Sequence, residues 1–233
     1  MNNMTPVTGR CLAVIPARAG SRQLPGKNLK LVGRMSLVER AIDVAIHSDG
    51  VNLVVVSSDD PDVLALAEAR KVVGLPRPPA LAGDSVSTLQ VAGHVASLFP
   101  DADPFVLLQP TSPLRTTADV EACLEAYDGV NPVVTVTPLD HPVEWTLRLQ
   151  GVNLSPVFGW DAFTQRQSHG IAVIPNGAVY VLPRSLVTGG GDIYQPSTVA
   201  VLMPPERSID IDSRFDLEVA RALVGLADDS RPS

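Results

Sequence analysis

Positive charge is in short supply: 18 Lys and Arg stand against 25 Asp and Glu among 233 residues, a net charge of −7. That balance excludes a general nucleic-acid or anionic-membrane surface, so any anion site must be local. Cysteine is scarce too. Cys11 and Cys123 both sit among apolar neighbours and read as two buried thiols in a reducing compartment, not a disulfide. His47, His94, His141 and His169 are scattered without zinc-ligand spacing. No apolar run approaches the length of a membrane span, and residues 1–10 lack the apolar segment of a secretory signal, so the expectation is a cytoplasmic protein. Two familiar phosphate motifs are missing as well. Gly20 to Gly26 do not supply G-x-G-x-x-G. A Walker A loop needs four residues between its glycines and then Lys-Ser/Thr, whereas here five intervene and Asn28 follows Lys27.

What is present reads as one globular domain over residues 1–233, with 45% hydrophobic and 18% charged residues, too apolar for disorder. Apolar runs at 12–15, 53–57, 104–108 and 133–136 predict buried strands. Helices are predicted between them. One starts at the capping box Ser36-Leu-Val-Glu39, and one runs from Asp60-Pro61 to about residue 71. A third is capped by Ser85 or Ser87 and ends near residue 99, and a fourth runs from Thr116 or Thr117 through 127. Residues 77–84 form a proline-rich loop. Such alternation implies βαβ units: an α/β, Rossmann-like open sheet, predominantly parallel, in three layers. Arg18, Ser57-Ser58-Asp59 and Gln109-Pro110-Thr111-Ser112 each follow a predicted strand, so they share the ligand-binding edge of the sheet.

The rhythm breaks between residues 138 and 175, which hold Trp145, Trp160, Phe158 and Phe163 without a helical period. Such a segment is either a local hairpin or an arm against a second subunit. Strands are predicted at 176–182 and 199–203, with a glycine turn at 189–191. A final helix over 213–226 is expected to be capped by Asp212.

Three stretches carry chemistry. The first, Cys11 to Asn28, ends a strand at Pro16 and enters a loop with Gly20, Gly26, Arg18, Arg22 and Lys27. Open backbone beside fixed positive charges suits a polyphosphate, although a plain basic surface loop has the same composition. In the second, Ser208-Ile-Asp-Ile-Asp212, alternation puts Asp210 and Asp212 on one face. The pair either holds a hard cation such as Mg²⁺ between two repelling carboxylates, or consists of an exposed aspartate and a helix cap. The third, Leu107-Leu-Gln-Pro-Thr-Ser-Pro-Leu-Arg115, is a rigid turn that serves equally as structure or as site.

Ile15-Pro-Ala-Arg-Ala-Gly-Ser21 with Leu24-Pro-Gly-Lys-Asn28 resembles the signature of the CMP-sialic acid synthetase (acylneuraminate cytidylyltransferase) family. The resemblance extends over roughly residues 12–226. It implies transfer of CMP from CTP to an acidic acceptor, by default a nonulosonic sugar acid, with loss of pyrophosphate. A small anion such as a phosphonate is the alternative acceptor, and a silent nucleotide-binding regulator is the alternative outside the enzymes. Lys27, Arg18 and Arg22 are then the catalytic phosphate contacts. Ala17, Ser21, Asn28, Arg77, Ala80 and Asp84 bind the nucleotide. Gln109, Ser112, Arg166, Gln167, Asn176 and Tyr180 are the acceptor contacts. Asp210 and Asp212 hold the catalytic Mg²⁺, and the segment 138–175 becomes a dimerisation arm that contributes to a homodimer's acceptor site. Two departures stand out: Arg22-Gln23 replaces the family's usual Lys-Gly, and Ser168-His-Gly-Ile-Ala-Val-Ile-Pro175 replaces its acidic and aromatic stretch.

Overall fold

The computed structural model describes residues 9–20, 23–163 and 171–229. The chain opens with β1 (Arg10–Pro16), then a small hairpin of β2 (Leu31–Val32) and β3 (Met35–Ser36). There follow α1 (Leu37–His47), β4 (Leu53–Ser58), α2 (Pro61–Ala69), β5 (Val73–Pro76), α3 (Thr88–Leu98) and β6 (Ala102–Leu107). Next come α4 (Thr117–Ala126), β7 (Val133–Pro138), the hairpin β8 (Leu147–Gln150) and β9 (Asn153–Pro156), and β10 (Val173–Leu182). Last are α5 (Arg184–Gly189), β11 (Val199–Leu202) and α6 (Arg214–Asp229).

Seven strands form one sheet in the order β11-β7-β10-β6-β1-β4-β5. Its pairings are parallel except those of β10, which runs antiparallel to both β6 and β7. Side-chain alternation splits each strand between two cores. Ala13, Ile15, Val54, Val56, Val106 and Val181 face α1, α2 and α4. Leu12, Val14, Val55, Phe105, Leu107 and Leu182 face α3 and α5. Fully burying each large aliphatic side chain of these layers stabilises the fold by roughly 1.5–3 kcal/mol. On the outside of α1, a third cluster joins α6 to the β2–β3 hairpin through Val32, Leu37, Ile211, Leu217 and Ala220.

Capping chemistry set the helix starts as expected. Ser36 and Glu39 exchange the two bonds of a capping box, and Ser87 does the same with Gln90. The structure departs from expectation in four places. A short edge strand, β5, follows α2, which stops at Ala69. The predicted glycine turn is the end of α5, where Gly190 at φ 71 closes the helix as only glycine does without strain. Strand β10 begins three residues early, at Val173. Asp212 is not the cap of the last helix. The Ser213 hydroxyl accepts from the Asp216 amide while the Asp216 carboxylate accepts from the Ser213 N–H, so that box leaves the Asp212 side chain free for other work.

The segment 138–175 does contain a hairpin, β8–β9, outside the main sheet. It exposes Leu149, Val152, Leu154, Phe158 and Trp160. Among the described residues no helix is long and apolar enough to cross a membrane.

One ion pair ties the turn before Ser208 to the body of the domain. Arg207 grips the buried Asp119 with two bonds, at 2.7 and 3.2 Å, and Asp119 also accepts from the Thr116 N–H and hydroxyl. Burial alone would raise the carboxyl pKa of Asp119, but these bonds outweigh it and lower it. The stabilisation is therefore complete above the ordinary aspartate value of about 3.9 and is lost as pH falls through the lower folded value. Arg207→Met is expected to be less stable than wild type at pH 7, with the gap closing below about pH 4, as read by denaturant melts across pH.

Candidate active site

Parallel pairing brings the ends of β1, β4 and β6 together. The Ala17 N–H donates to Ser57 O at 3.0 Å, and the Leu108 N–H to Val14 O at 2.9 Å. The Ala19 N–H donates to the Asp59 carboxylate at 2.8 Å, fixing the start of the basic loop to the end of β4. Asn28 donates from Nδ2 to Arg18 O at 2.8 Å and pins the loop's far side. Gly26 turns the chain at φ 64 into the short helical turn Lys27–Leu29, which aims Lys27 inward.

Beyond these strand ends lies a cleft of about 300 Å³. Arg18, Lys27, Asn28, Arg77, Asp84, Gln109, Asp210 and Asp212 line it, together with Val86, Thr88, Val91 and Thr111. Lys27 Nζ donates to Asp212 Oδ1 at 3.1 Å, and Arg18 Nη1 to Asp84 Oδ1 at 2.6 Å. Arg77 is buried at the back, with its guanidinium on the Ser57 carbonyl at 2.7 Å and hydroxyl at 3.3 Å. Burial, offset by Asp59 and reinforced by Arg18, lowers its pKa.

The two aspartates sit on an extended segment whose isoleucines point away. Ile211 is buried in the α6 cluster with Ile209 packed beside it, and both carboxylates reach the cleft. The Ile211 N–H donates to Thr111 O at 2.8 Å, which locks the segment to the turn after β6. Loss of water raises the Asp210 pKa, and Asp212 and Asp216 add to the rise, while the Thr111 hydroxyl and Lys27 oppose it. Among the described residues no group of three or more His, Cys, Asp or Glu gathers that could hold a metal. Asp210 and Asp212 offer the hard carboxylate oxygens that suit Mg²⁺.

Several expected contacts lie elsewhere. Ser112 and Asn176 are buried beneath the cleft. Asn176 Oδ1 accepts from the Thr135 hydroxyl at 2.6 Å and its Nδ2 donates to Ser208 Oγ at 2.9 Å, so it braces β7 and β10 against the aspartate segment. Ala17 is buried behind the loop, and Ala80 is exposed on the turn Pro79–Leu81, outside the cleft lining. Tyr180 is buried in β10, with its hydroxyl 3.3 Å from that of Tyr194. Ser21, Arg22, Arg166 and Gln167 lie outside the described residues. Sequence reasoning passed over Thr88, Thr111 and Tyr194. Thr111 lay inside a quoted motif, and the other two carry no pattern of their own.

A family model described as cytidylyltransferase matches residues 12–144. The chain belongs to the cytidylyltransferase family. It is 29% identical over 214 residues to an N-acylneuraminate cytidylyltransferase of Escherichia coli O18:K1:H7, covering 91% of this chain and 51% of that one. It is 30% identical to a CMP-N,N'-diacetyllegionaminic acid synthase of Legionella pneumophila, covering 93% of this chain and 97% of the other. The chain thus spans about half the length of the N-acylneuraminate cytidylyltransferases it matches. In structure it is similar to a CMP:2-keto-3-deoxy-manno-octonic acid synthetase complexed with CTP, at TM-score 0.70, 18% identity, and 94% and 99% coverage of the two chains. That likeness shows the fold: a Rossmann-like, mostly parallel sheet, as the alternation of strands and helices predicts. The matched family segment ends near Glu144, so the aspartate pair and β10 lie beyond it.

Proposed function

We propose that this cytidylyltransferase-family chain transfers CMP from CTP to a nonulosonic sugar acid and releases pyrophosphate. One observation carries the reading: Lys27 and Asp212, 185 positions apart, meet at 3.1 Å over the cleft that Arg18 and Arg77 also line. The basic and acidic halves of a nucleotide site share one wall. The relatives' names, which specify sugar acids, support the acceptor class.

In this reading Arg18, Arg22 and Lys27 neutralise the triphosphate, with the Ser21 hydroxyl assisting as a donor. Asp210 and Asp212 would hold Mg²⁺, which would supply Lewis-acid polarisation of phosphoryl oxygens. Lys27 already performs part of the charge balancing, since its ammonium holds down the pKa that burial and the neighbouring carboxylates raise on Asp210. Gln109 offers an amide to the acceptor at the cleft wall. The acceptor hydroxyl oxygen gives up its proton to solvent and bonds to the α-phosphorus as the bond to pyrophosphate breaks, the electron pair of that broken bond leaving with pyrophosphate. Such transfer rests on positioning and charge neutralisation more than on covalent chemistry by the protein. Arg166 and Gln167 belong to the acceptor side of this proposal. The exposed apolar hairpin β8–β9 is its dimerisation arm, and the reaction runs in the cytoplasm, where Cys11 and Cys123 stay reduced.

The test is pyrophosphate release from CTP and Mg²⁺ with N-acetylneuraminate, N,N'-diacetyllegionaminate, 3-deoxy-manno-octulosonate or a phosphonate as acceptor. Release with a nine-carbon acid supports the reading. Release with the phosphonate alone replaces the acceptor, and tight CTP binding without release from any acid leaves a regulator.

The ion pairs at the mouth have a measurable consequence. Asp84 occupies the guanidinium of Arg18 that the triphosphate must take, so Asp84→Asn is expected to bind CTP severalfold more tightly. An exposed pair of this kind contributes about 0.2–1 kcal/mol, which sets that scale. Calorimetry in EDTA reads it directly, and a weaker affinity in the variant would show that Asp84 itself contacts the nucleotide.

A further inference from the structure

Below the cleft floor lies a cation that the transfer described above leaves without a role. Arg115 is 4% exposed. It donates from Nη1 to Ala178 O in β10 and from Nη2 to Gln109 O at the end of β6, both in short contacts. Its Nε is buried without a partner. Burial lowers its pKa, while Asp119 and Asp210 favour its charge from a distance. A buried guanidinium bonded to carbonyls, not to a carboxylate, is a costly way to fill a core. Its two carbonyls are informative. One belongs to the residue that presents its amide at the cleft wall, and the other to the strand that runs antiparallel beside it.

Between those two anchors sits Gly177, at φ 73, where a Cβ would stand 3.1 Å from Gln109 Oε1. The glycine provides both the left-handed turn and the space that the Gln109 amide occupies. From below, Arg115 fixes the Gln109 backbone. From the side, Gly177 bounds its amide. The same turn carries Thr111, whose carbonyl receives the Ile211 N–H at 2.8 Å.

We infer that Arg115 and Gly177 are positioning residues that hold the Gln109 amide toward the acceptor, without touching the nucleotide themselves. The inference rests on the proposed CMP transfer. Arg18 and Lys27 stand on the loop after β1 and do not depend on this clamp, so acceptor use and nucleotide affinity should separate.

The experiment compares Arg115→Lys, Gly177→Ala, Gln109→Ala and the double variant Gln109→Ala/Arg115→Lys. The acceptor is whichever of the three sugar acids wild type uses fastest. Folding is checked by circular dichroism, and the CTP Kd is measured in EDTA. In folded Arg115→Lys or Gly177→Ala, kcat/KM for the acid is expected to fall roughly 10²-fold, the scale of a 1 Å misplacement, with the CTP Kd within about twofold of wild type. On top of Gln109→Ala, Arg115→Lys is expected to add little, because both act through one amide. Retained kcat/KM, full additivity, or joint loss of fold, CTP affinity and turnover in both single variants would overturn the inference. A wild type that is silent with all three acids would remove the sugar-acid reading, and the inference with it.

Discussion

Lys27→Ala is expected to lose about 10²–10³-fold in turnover while its melting temperature moves only a few degrees. The two effects separate because of where the side chain sits. Its ammonium is mostly enclosed by the cleft, but its partner Asp212 is largely open to water, and such a half-exposed pair contributes about 1 kcal/mol or less. For a chain of this size that corresponds to a shift of roughly 2–4 °C. The ammonium's work lies in neutralising charge that develops as pyrophosphate leaves. Loss of Lys27 also removes a cation that lowers the Asp210 pKa, so the acid limb of any residual activity should move to higher pH. Full turnover in the variant, measured by pyrophosphate release, would contradict the assignment.

Asp210→Asn pairs the opposite outcomes: activity collapses and stability rises. Asp210 has a folded pKa above its unfolded value, chiefly through loss of water and the neighbouring carboxylates. A carboxyl shifted that way disfavours folding increasingly as pH climbs from the unfolded value through the folded one, so its ionised form is a burden at pH 7. The amide removes that burden and with it one of two candidate Mg²⁺ ligands. Turnover should fall by about 10³-fold or more, and the dependence of rate on Mg²⁺ concentration should shift to far higher values. Denaturant melts at pH 7 should show the variant at least as stable as wild type, a trade seen where activity requires a strained arrangement of charges. A variant that keeps its rate and Mg²⁺ dependence would show that the metal is held elsewhere.

Local physics in the sequence made the nucleotide half of this site legible. The strands that carry it are largely apolar runs, the helices between them begin at the N-caps Ser36, Asp60 and Ser87, and parallel alternation forces Arg18, Asp59 and Gln109 to one edge. The aspartate pair was readable from period-two alternation, because Ile209 and Ile211 need a core and the acids must face the other way. Other features left no local signal. Strand β10 looks like any apolar run, and nothing in its residues states that it enters antiparallel between β6 and β7. Strand β5 is four residues long and carries Gly74 and Pro76, both poor strand formers. Helix α5 is too short to display a period. The expectation for Asp212 failed because two adjacent residues, Asp212 and Ser213, both make good caps, and only the position of Asp216 three residues after Ser213 separates them. The burial of Ser112, Arg115 and Asn176 depends on long-range packing that motif spacing does not encode.

Placing β10 inside the sheet, between β6 and β7, also constrains how the molecule is made. A nascent chain that has emerged only as far as β7 holds β1, β4, β5 and β6 in one ribbon, with β6 and β7 bare along the flanks that β10 will later fill. Those flanks are the sticky kind that recruit foreign strands. A truncation ending where the family match ends should therefore aggregate instead of forming a miniature enzyme, and the late insertion of residues 173–182 closes the seam.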